Sequence, residues 1–220
     1  MTGRIFTADH HVYDLPPLLS WNVRHTGTVP CDSWSVTAVY QPEMLTVLRM
    51  AAGFAAIENG MTQLRGIVDE YTVELGSRGM TVTLSGRGYA ARLLDNESRP
   101  VTYEQVTLRE LIRCHAEPYG ISCGAAADLR STVPYTAGVG ISQWKVISEF
   151  CRTYGGFLPR FAKTGELLAT PEQDSGKRII LDSGSPVLNC RIREDHYGVL
   201  TEALERLACA VREKEPIVCK

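Results

Sequence analysis

The residues Gly86, Gly88 and Ala91 fall on the spacing G-x-G-x-x-A, which is the outline of a dinucleotide-binding turn. In such a turn the glycines let the backbone approach a pyrophosphate at the start of a helix. The strand that leads into the turn is parallel, buried on both faces and therefore almost continuously apolar. Here the preceding residues alternate between apolar and hydroxyl side chains: Met80, Val82 and Leu84 against Thr81, Thr83 and Ser85. This alternation predicts an antiparallel strand with one solvated face.

The surroundings of the glycines also argue against a nucleotide site. A dinucleotide-binding fold places an acidic residue about 20 residues after the turn, at the end of a second strand. Positions 109–110 are Arg-Glu and fall inside a predicted helix, and Arg87 and Tyr89 would crowd the path of a pyrophosphate. We therefore predict no nucleotide at this turn.

Four pairs of neighbouring residues carry side chains that bind metals or transfer protons: His10-His11, Asp69-Glu70, Cys114-His115 and Glu194-Asp195. Neighbours on a strand point to opposite faces and neighbours on a helix lie about 100° apart, so they do not converge on one metal or one bond. We expect the acidic pairs in solvated turns or edges, and Cys114 as a buried thiol beside a surface His115. The sequence also has no nucleophile elbow, H-E-x-x-H or P-loop. It therefore predicts no catalytic, cofactor-binding or metal-binding residue, and no enzyme.

The composition excludes further classes of protein. With 44% hydrophobic and 22% charged residues, the chain is typical of globular proteins, and its formal net charge of -2 supplies no basic field for nucleic acid or an anionic membrane. Residues 1–15 lack a signal-peptide pattern, and the seven cysteines, none in C-x-x-C spacing, favour a reduced cytosolic protein. The three tryptophans are expected to be core or interface anchors: Trp21, Trp34 and Trp144.

The elements that must position these residues begin with a strand-rich segment. The patterns predict a first strand over residues 4–15 and a half-buried strand over 33–40. They also predict a helix over 42–59, closed by Gly60, and a hairpin over 62–86 that turns around GSRG. The first 95 residues are therefore predicted to be mostly strands with one helix.

Helices dominate the next segment. Thr107, followed three residues later by Glu110, forms a capping-box pattern ahead of an amphipathic helix that ends near Pro118. A second helix is predicted to begin after Ser142 and to stop at Gly155-Gly156.

Beyond the second helix, a hairpin is predicted to turn at residues 163–165, followed by the linker-like PEQDSGK. We divide the chain into a strand-rich domain over 1–95, a smaller α+β domain over 96–175 and a return to strand-like runs over 176–220.

These same segments resemble a known family. VTLSGRGYAARLLDNES is similar to a segment of bacteriophage tail baseplate hub proteins, in which a strand ends in a Gly-Arg-like pair and leads into an A-x-L-x-D turn, here Gly86-Arg87 and Ala91 to Asp95. Three later pieces resemble the family in the same order. They are a helix ending in the turn Pro118-Tyr119-Gly120-Ile121, a second helix followed by a G-x-L hairpin, and the return strand REDHYGVLTEAL. The chain looks most like the late-control-D or Mu-type hub found in phages and prophages of Gram-positive bacteria.

The resemblance implies an α+β fold. It implies a tail-tube-like antiparallel β-barrel in residues 1–95, an inserted smaller α+β domain in 96–175, and in 176–220 the start of a second, incomplete barrel. Hub proteins of this family are usually trimers that adapt the hexameric tail tube to a trimeric spike. The implied role is therefore structural, in the virion tail, after synthesis in the bacterial cytoplasm. The implied partners are the tail tube, the spike or tail-tip proteins and copies of the chain itself, with no nucleic acid, membrane or cofactor.

Two features differ from the family. Its members are usually longer, and LTEALERLACAVREK has a helical spacing of apolar residues, so a helix is predicted after Ala203 where the family has a strand. Two other functions remain alternatives: a tail-associated cell-wall hydrolase and a cellular protein-interaction module.

Overall fold

The computed structural model describes residues 1–26, 31–77, 79–173, 176, 206–207 and 210–211. The chain divides into two compact units, Met1–Gln173 and Asp174–Lys220. Within the described residues, no helix is both long enough and apolar enough to cross a membrane.

The first unit begins with a seven-stranded antiparallel sheet in the order β2-β1-β5-β6-β7-β4-β3. Its strands are β1 (Thr2–Thr7), β2 (Val12–Asp14), β3 (Leu18–Arg24), β4 (Ser33–Val39), β5 (Ala51–Glu58), β6 (Met61–Gly76) and β7 (Gly79–Gly88). The predicted alternation of β7 is confirmed: Val82 and Leu84 are fully buried, whereas the hydroxyl residues between them are half-exposed. The sheet is therefore one-sided, as the sequence predicts.

The sheet curls around its own core. The Trp34 ring of β4 stacks on the Phe54 ring of β5 with centroids 3.8 Å apart, although β4 and β5 are not neighbours in the sheet. The first half of β6 pairs with β5 and the second half with β7, and a bulge between Val68 and Glu70 accompanies the change of partner. In the described residues β2 and β3 are the two edges, so these strands form an open, curled antiparallel sheet and not the closed barrel expected.

The helix predicted over 42–59 is wrong beyond its first turns. The helix α1 spans only Met44–Arg49, and Ala51–Glu58 form the strand β5. This strand pairs with β1 on one edge and with β6 on the other, and such pairing overrides the helical preference of its alanines. Gly60, with a φ of +76°, therefore turns the β5–β6 hairpin and does not close a helix.

The other hairpins of the sheet follow the turn residues. The hairpin predicted around GSRG is confirmed, because Gly76 pairs with Gly79 at the end of β6 and β7. The segment 4–15, predicted as one strand, instead folds into the antiparallel pair β1 and β2. The turn between them contains His10 in a left-handed conformation, with a φ of +67°.

The rest of the first unit is α+β. Its elements are α2 (Ala90–Leu94), β8 (Val101–Tyr103), α3 (Leu108–His115), a 3-10 turn (Glu117–Tyr119), β9 (Cys123–Ala126), β10 (Tyr135–Ala137), α4 (Gln143–Gly155), β11 (Arg160–Phe161) and β12 (Leu167–Ala169). Strand β10 pairs with β8, and the other three strands form a sheet in the order β11-β12-β9. A second hydrophobic core, centred on α3 and α4, holds these elements together.

Both predicted helix starts are confirmed. The Glu110 backbone N–H donates to Thr107 Oγ1 at 3.3 Å, and Glu110 Oε2 accepts from the Thr107 backbone N–H at 2.8 Å, which completes the capping box of α3. The Lys145 backbone N–H donates to Ser142 Oγ at 3.2 Å, and α4 ends at Gly156 in the left-handed region. The predicted β11–β12 hairpin is also present, with Gly165 at a φ of +86°.

In the second unit the described residues are Gly176 and two short strands, β13 (Arg206–Leu207) and β14 (Ala210–Val211), which pair antiparallel. The helix predicted after Ala203 is therefore wrong at these positions, because backbone pairing between strands prevails over the helical spacing of the apolar residues. The predicted return strand REDHYGVLTEAL and the pair Glu194-Asp195 lie outside the described residues. The division into 1–95, 96–175 and 176–220 stays a prediction.

Candidate functional site

The glycine-rich turn that suggested a nucleotide is a crossing point of strands. Strand β7 pairs antiparallel with β4 and β6, so it is not the parallel strand of a dinucleotide fold. A Cβ atom at Gly86 would lie 2.0 Å from the Ile67 carbonyl oxygen and 2.9 Å from the Trp34 ring. Gly86 therefore permits close packing of protein against protein, and the space a phosphate would need is filled.

Arg87 joins three elements through a shared ion pair. Its guanidinium donates to both Asp69 carboxylate oxygens at 2.8 and 3.0 Å, and to both Asp95 oxygens at 3.1 and 2.7 Å. These hydrogen bonds raise the pKa of Arg87 above its ordinary value and lower the pKa of Asp95. Asp69 lies at the β6 bulge and Asp95 directly follows α2. The ion pairs therefore hold the end of β7 and the turn after α2 against β6. Both carboxylate oxygens of Asp69 are bonded to Arg87.

The expectation for Cys114 and His115 is reversed. Cys114 is exposed, whereas His115 is 5% exposed and lies on the inner face of α3. The His115 Nδ1 atom lies 2.5 Å from Gln143 Oε1, and its Nε2 atom lies 3.0 Å from the Tyr103 hydroxyl. Since an amide oxygen only accepts, Nδ1 carries a proton, and in the neutral imidazole Nε2 then accepts from the Tyr103 hydroxyl. The helical period explains the reversal, because Leu108, Leu111, Ile112 and His115 share one face.

Gln143, which belongs to no sequence motif, completes this buried network. Its amide nitrogen donates to the Glu97 carbonyl at 3.0 Å and to the Tyr119 hydroxyl at 2.9 Å. Gln143 lies 28 residues from His115, so no local pattern links the two. With both imidazole nitrogens engaged, the network joins α3 to α4 and leaves His115 without a free lone pair for proton transfer.

The remaining candidate pairs do not converge either. His10 and His11 lie in the exposed β1–β2 turn and not on a strand, and His11 Nδ1 is 2.9 Å from the Asp9 carboxylate. Glu70 is exposed beside Asp69. Among the described residues, no group of three or more histidine, cysteine or acidic side chains is arranged to hold a metal ion.

The cysteines of the described residues are free thiols: Cys31, Cys114, Cys123 and Cys151. Cys151 is fully buried in the helical core, and burial raises its pKa to about 12. Burial also raises the pKa of Cys31 and of Cys123. A raised pKa lowers the fraction of thiolate, the reactive form, in these three side chains near neutral pH.

On the described surface, large apolar side chains are exposed on the edge strand β3 and at the tip of the β6–β7 hairpin. The edge strand β3 exposes Leu19 and Trp21, which are 58% and 49% exposed. At the tip of the β6–β7 hairpin, Leu75 is 81% exposed. Of the other two tryptophans, Trp34 is buried in the core of the sheet and Trp144 is half-buried against Phe161. An edge strand with exposed apolar side chains is a template for pairing with another chain.

The fold is similar to that of two solved tail proteins. The tail protein from Neisseria meningitidis MC58 matches with a TM-score of 0.70 and 13% identity over 92% of this chain. The 43 kDa tail protein of prophage MuSo2 from Shewanella oneidensis matches with a TM-score of 0.54 and 16% identity over 77% of this chain. The aligned parts cover 63% and 54% of those two proteins. No protein-family model and no curated protein matches the sequence. At these identities the comparisons show a shared fold.

Proposed function

We propose that this chain is a structural subunit of a bacteriophage or prophage tail, acting as a baseplate hub or distal adaptor that joins the tail tube to the spike or tail tip. The observation that carries the proposal is the similarity of 92% of the chain to the fold of a tail protein, at a TM-score of 0.70. The hub-like sequence pieces, in their family order, favour the distal end of the tail.

The partners we propose are the tail tube, the spike or tail-tip proteins and two further copies of the chain, in a trimeric ring. Support comes from β3, whose outer edge has no strand partner among the described residues. A strand from a neighbouring subunit would satisfy its open backbone groups and cover Trp21. About half of the Trp21 surface is exposed, so covering roughly 120 Å² at 25 cal/mol per Å² contributes about 3 kcal/mol per contact.

The proposed role is not enzymatic, and no observation in the described part of the chain favours a cell-wall hydrolase. His115 is saturated by hydrogen bonds, and Asp69 and Asp95 are paired with Arg87. The expected location is the virion tail, after synthesis in the bacterial cytoplasm.

The test compares assembly with two matched surface variants. Native mass spectrometry and electron microscopy of the wild-type chain should detect a closed trimeric ring. Trp21→Lys should abolish it, and Val133→Lys, which alters a similarly exposed apolar residue between β9 and β10, should retain it. Immunogold labelling of phage particles should place the protein at the distal end of the tail. Label along the tail shaft or on the capsid, or an assembly that ignores Trp21→Lys, would contradict the proposal.

A further inference from the structure

An open groove of about 780 Å³ runs between α3 and β9 in the first unit. Its floor is apolar, because it contains Ile112 and Ile121, which are 2% and 1% exposed. One wall carries the exposed side chains Arg109 and Arg113 of α3, and the other wall is the strand Cys123–Ala126. The small side chains of this strand leave room beside it for another chain.

Strand β9 is an edge strand, and its outer side faces away from its one neighbour in the described residues, β12. The Leu167 backbone N–H donates to the Ser122 carbonyl at 2.9 Å, and the Ala127 N–H donates to the Ala169 carbonyl at 2.8 Å. Since Cys123 lies directly opposite Leu167 in this parallel pair, the alternation of ladder bonds turns the Cys123 backbone N–H and C=O to the outer side. Among the described residues these two groups have no hydrogen-bond partner, so the groove offers a backbone N–H and C=O for pairing.

Two arginines and two glutamates line the groove, and they differ in the partners they already have. Arg109 and Arg113 are one helical turn apart, and neither lies within ion-pair distance of a described carboxylate, in contrast to Arg4 and Arg87. Arg113 is near enough to Glu110 to contribute to the lowered pKa of that carboxyl. Glu110, which also lines the groove, is held by the capping hydrogen bonds to Thr107. Glu117 lines the groove beyond Arg113 as an exposed carboxylate. The helix-side wall thus has two guanidinium groups available for carboxylates from outside.

We propose that this groove binds an extended, acidic segment of a partner protein, which adds to the outer side of β9 as a further strand. Alternate side chains of such a strand would face α3 about 7 Å apart, close to the 5–6 Å between Cβ atoms one turn apart on a helix. Acidic residues at alternate positions would therefore meet Arg109 and Arg113 together. The backbone of the segment would pair with Cys123, and the segment itself would cover Ile112 and Ile121. This binding mode is independent of the ring proposed above.

The test starts from two pools of displayed eight-residue peptides that differ only in charge. One pool has Glu or Asp at alternate positions, the other has Lys there, and the remaining positions are randomised. The immobilised full chain should enrich peptides from the acidic pool only. Equal enrichment from the lysine pool, or no enrichment from the acidic pool, would overturn the proposal.

The best acidic peptide, labelled with fluorescein, is then used to measure the contribution of the two arginines to binding. By fluorescence anisotropy, Arg109→Gln with Arg113→Gln should weaken binding about tenfold, since it removes two charge contacts at the rim. The matched pair Arg99→Gln with Arg152→Gln, also exposed but outside the groove, should leave binding unchanged. Retained affinity in the first pair would overturn the proposed charge recognition.

Hydrogen exchange tests strand addition without any substitution. The Cys123 amide should exchange quickly in the free chain and at least tenfold more slowly with the acidic peptide bound. The Ile147 amide, inside α4, should be unaffected. Slow exchange of Cys123 in the free chain would mean that a segment of the chain itself occupies the edge, and unchanged exchange with bound peptide would exclude pairing at β9. Either result overturns the proposal.

Discussion

The substitution Gly86→Ala tests whether the glycine-rich turn exists for packing. The added Cβ would lie 2.0 Å from the Ile67 carbonyl oxygen, whereas the shortest ordinary contacts between carbon and oxygen are about 3.3 Å. The backbone of β6 or β7 must therefore move by more than ~1 Å. This movement would also break the hydrogen bond that the Trp34 indole N–H donates to the same oxygen at 3.1 Å.

The expected cost follows from these two contacts. Overpacking of a close-packed core costs about 1–3 kcal/mol, and a buried indole N–H without its acceptor adds about 1–2 kcal/mol. We therefore expect Gly86→Ala to reduce the free energy of unfolding by about 3 kcal/mol. With a urea dependence near 2 kcal/mol/M, the unfolding midpoint should fall by about 1.5 M.

The matched control is Gly88→Ala, two residues along the same strand. The nearest atom to a Cβ at Gly88 is the Cβ of Asp32 at 3.4 Å, which is an ordinary contact, so this variant should stay within about 1 kcal/mol of the wild type. A dinucleotide turn would need both glycines equally. A loss below 1 kcal/mol for Gly86→Ala, or equal losses for the two variants, would refute the packing argument.

Three further changes test other parts of the fold. Because burial raises the pKa of Cys151 to about 12, iodoacetamide at pH 8 should modify exposed Cys114 at least ~100-fold faster than Cys151, as measured by peptide mass mapping. Because Arg87 lowers the pKa of Asp95 in the folded protein, the ion pair contributes its full stabilisation above pH ~4 and loses it as the pH falls through the lowered pKa of Asp95. Asp95→Asn should therefore flatten the decrease of the urea unfolding midpoint between about pH 5 and pH 2. His115→Leu should cost about 2–4 kcal/mol in urea unfolding, because it leaves buried polar partners unsatisfied.

Each of these has its own control. In unfolding concentrations of urea, Cys114 and Cys151 should label at similar rates, and similar rates in the folded protein would contradict the burial of Cys151. An unchanged pH dependence in Asp95→Asn would remove the role assigned to the Arg87 ion pair. Arg109→Ala, on the exposed face of α3 and outside the network, should change stability by less than ~0.5 kcal/mol, and an equal loss from both changes would contradict the buried network.

Local patterns predicted the elements that local interactions determine. The capping box at Thr107 and the left-handed glycines after α4 and in the β11–β12 turn act within a few residues, so they are readable from the sequence. The alternation that ends at Gly86 likewise reports one-sided burial of β7. It was enough to exclude a nucleotide turn.

The predictions failed where distant partners decide the structure. The alanine-rich segment Ala51–Glu58 is a strand because β1 and β6 flank it, and nothing within the segment reveals these neighbours. The burial of His115 follows from the period of α3, but its partner Gln143 comes from another helix. Strand β9 is an edge because its neighbour in the sheet is β12, a strand far along the chain. The groove beside β9 therefore could not be predicted from the sequence either.

The 16-residue strand β6 determines how this fold would respond to mechanical load. Because it is bonded to β5 by its first half and to β7 by its second, a pull along its axis would act in shear on two sets of hydrogen bonds in series. Neither part of the sheet can slide away as a separate piece while this strand stays intact. Strand β6 therefore forms a continuous connection across the sheet, and under the proposed tail role it would resist deformation of the subunit under load.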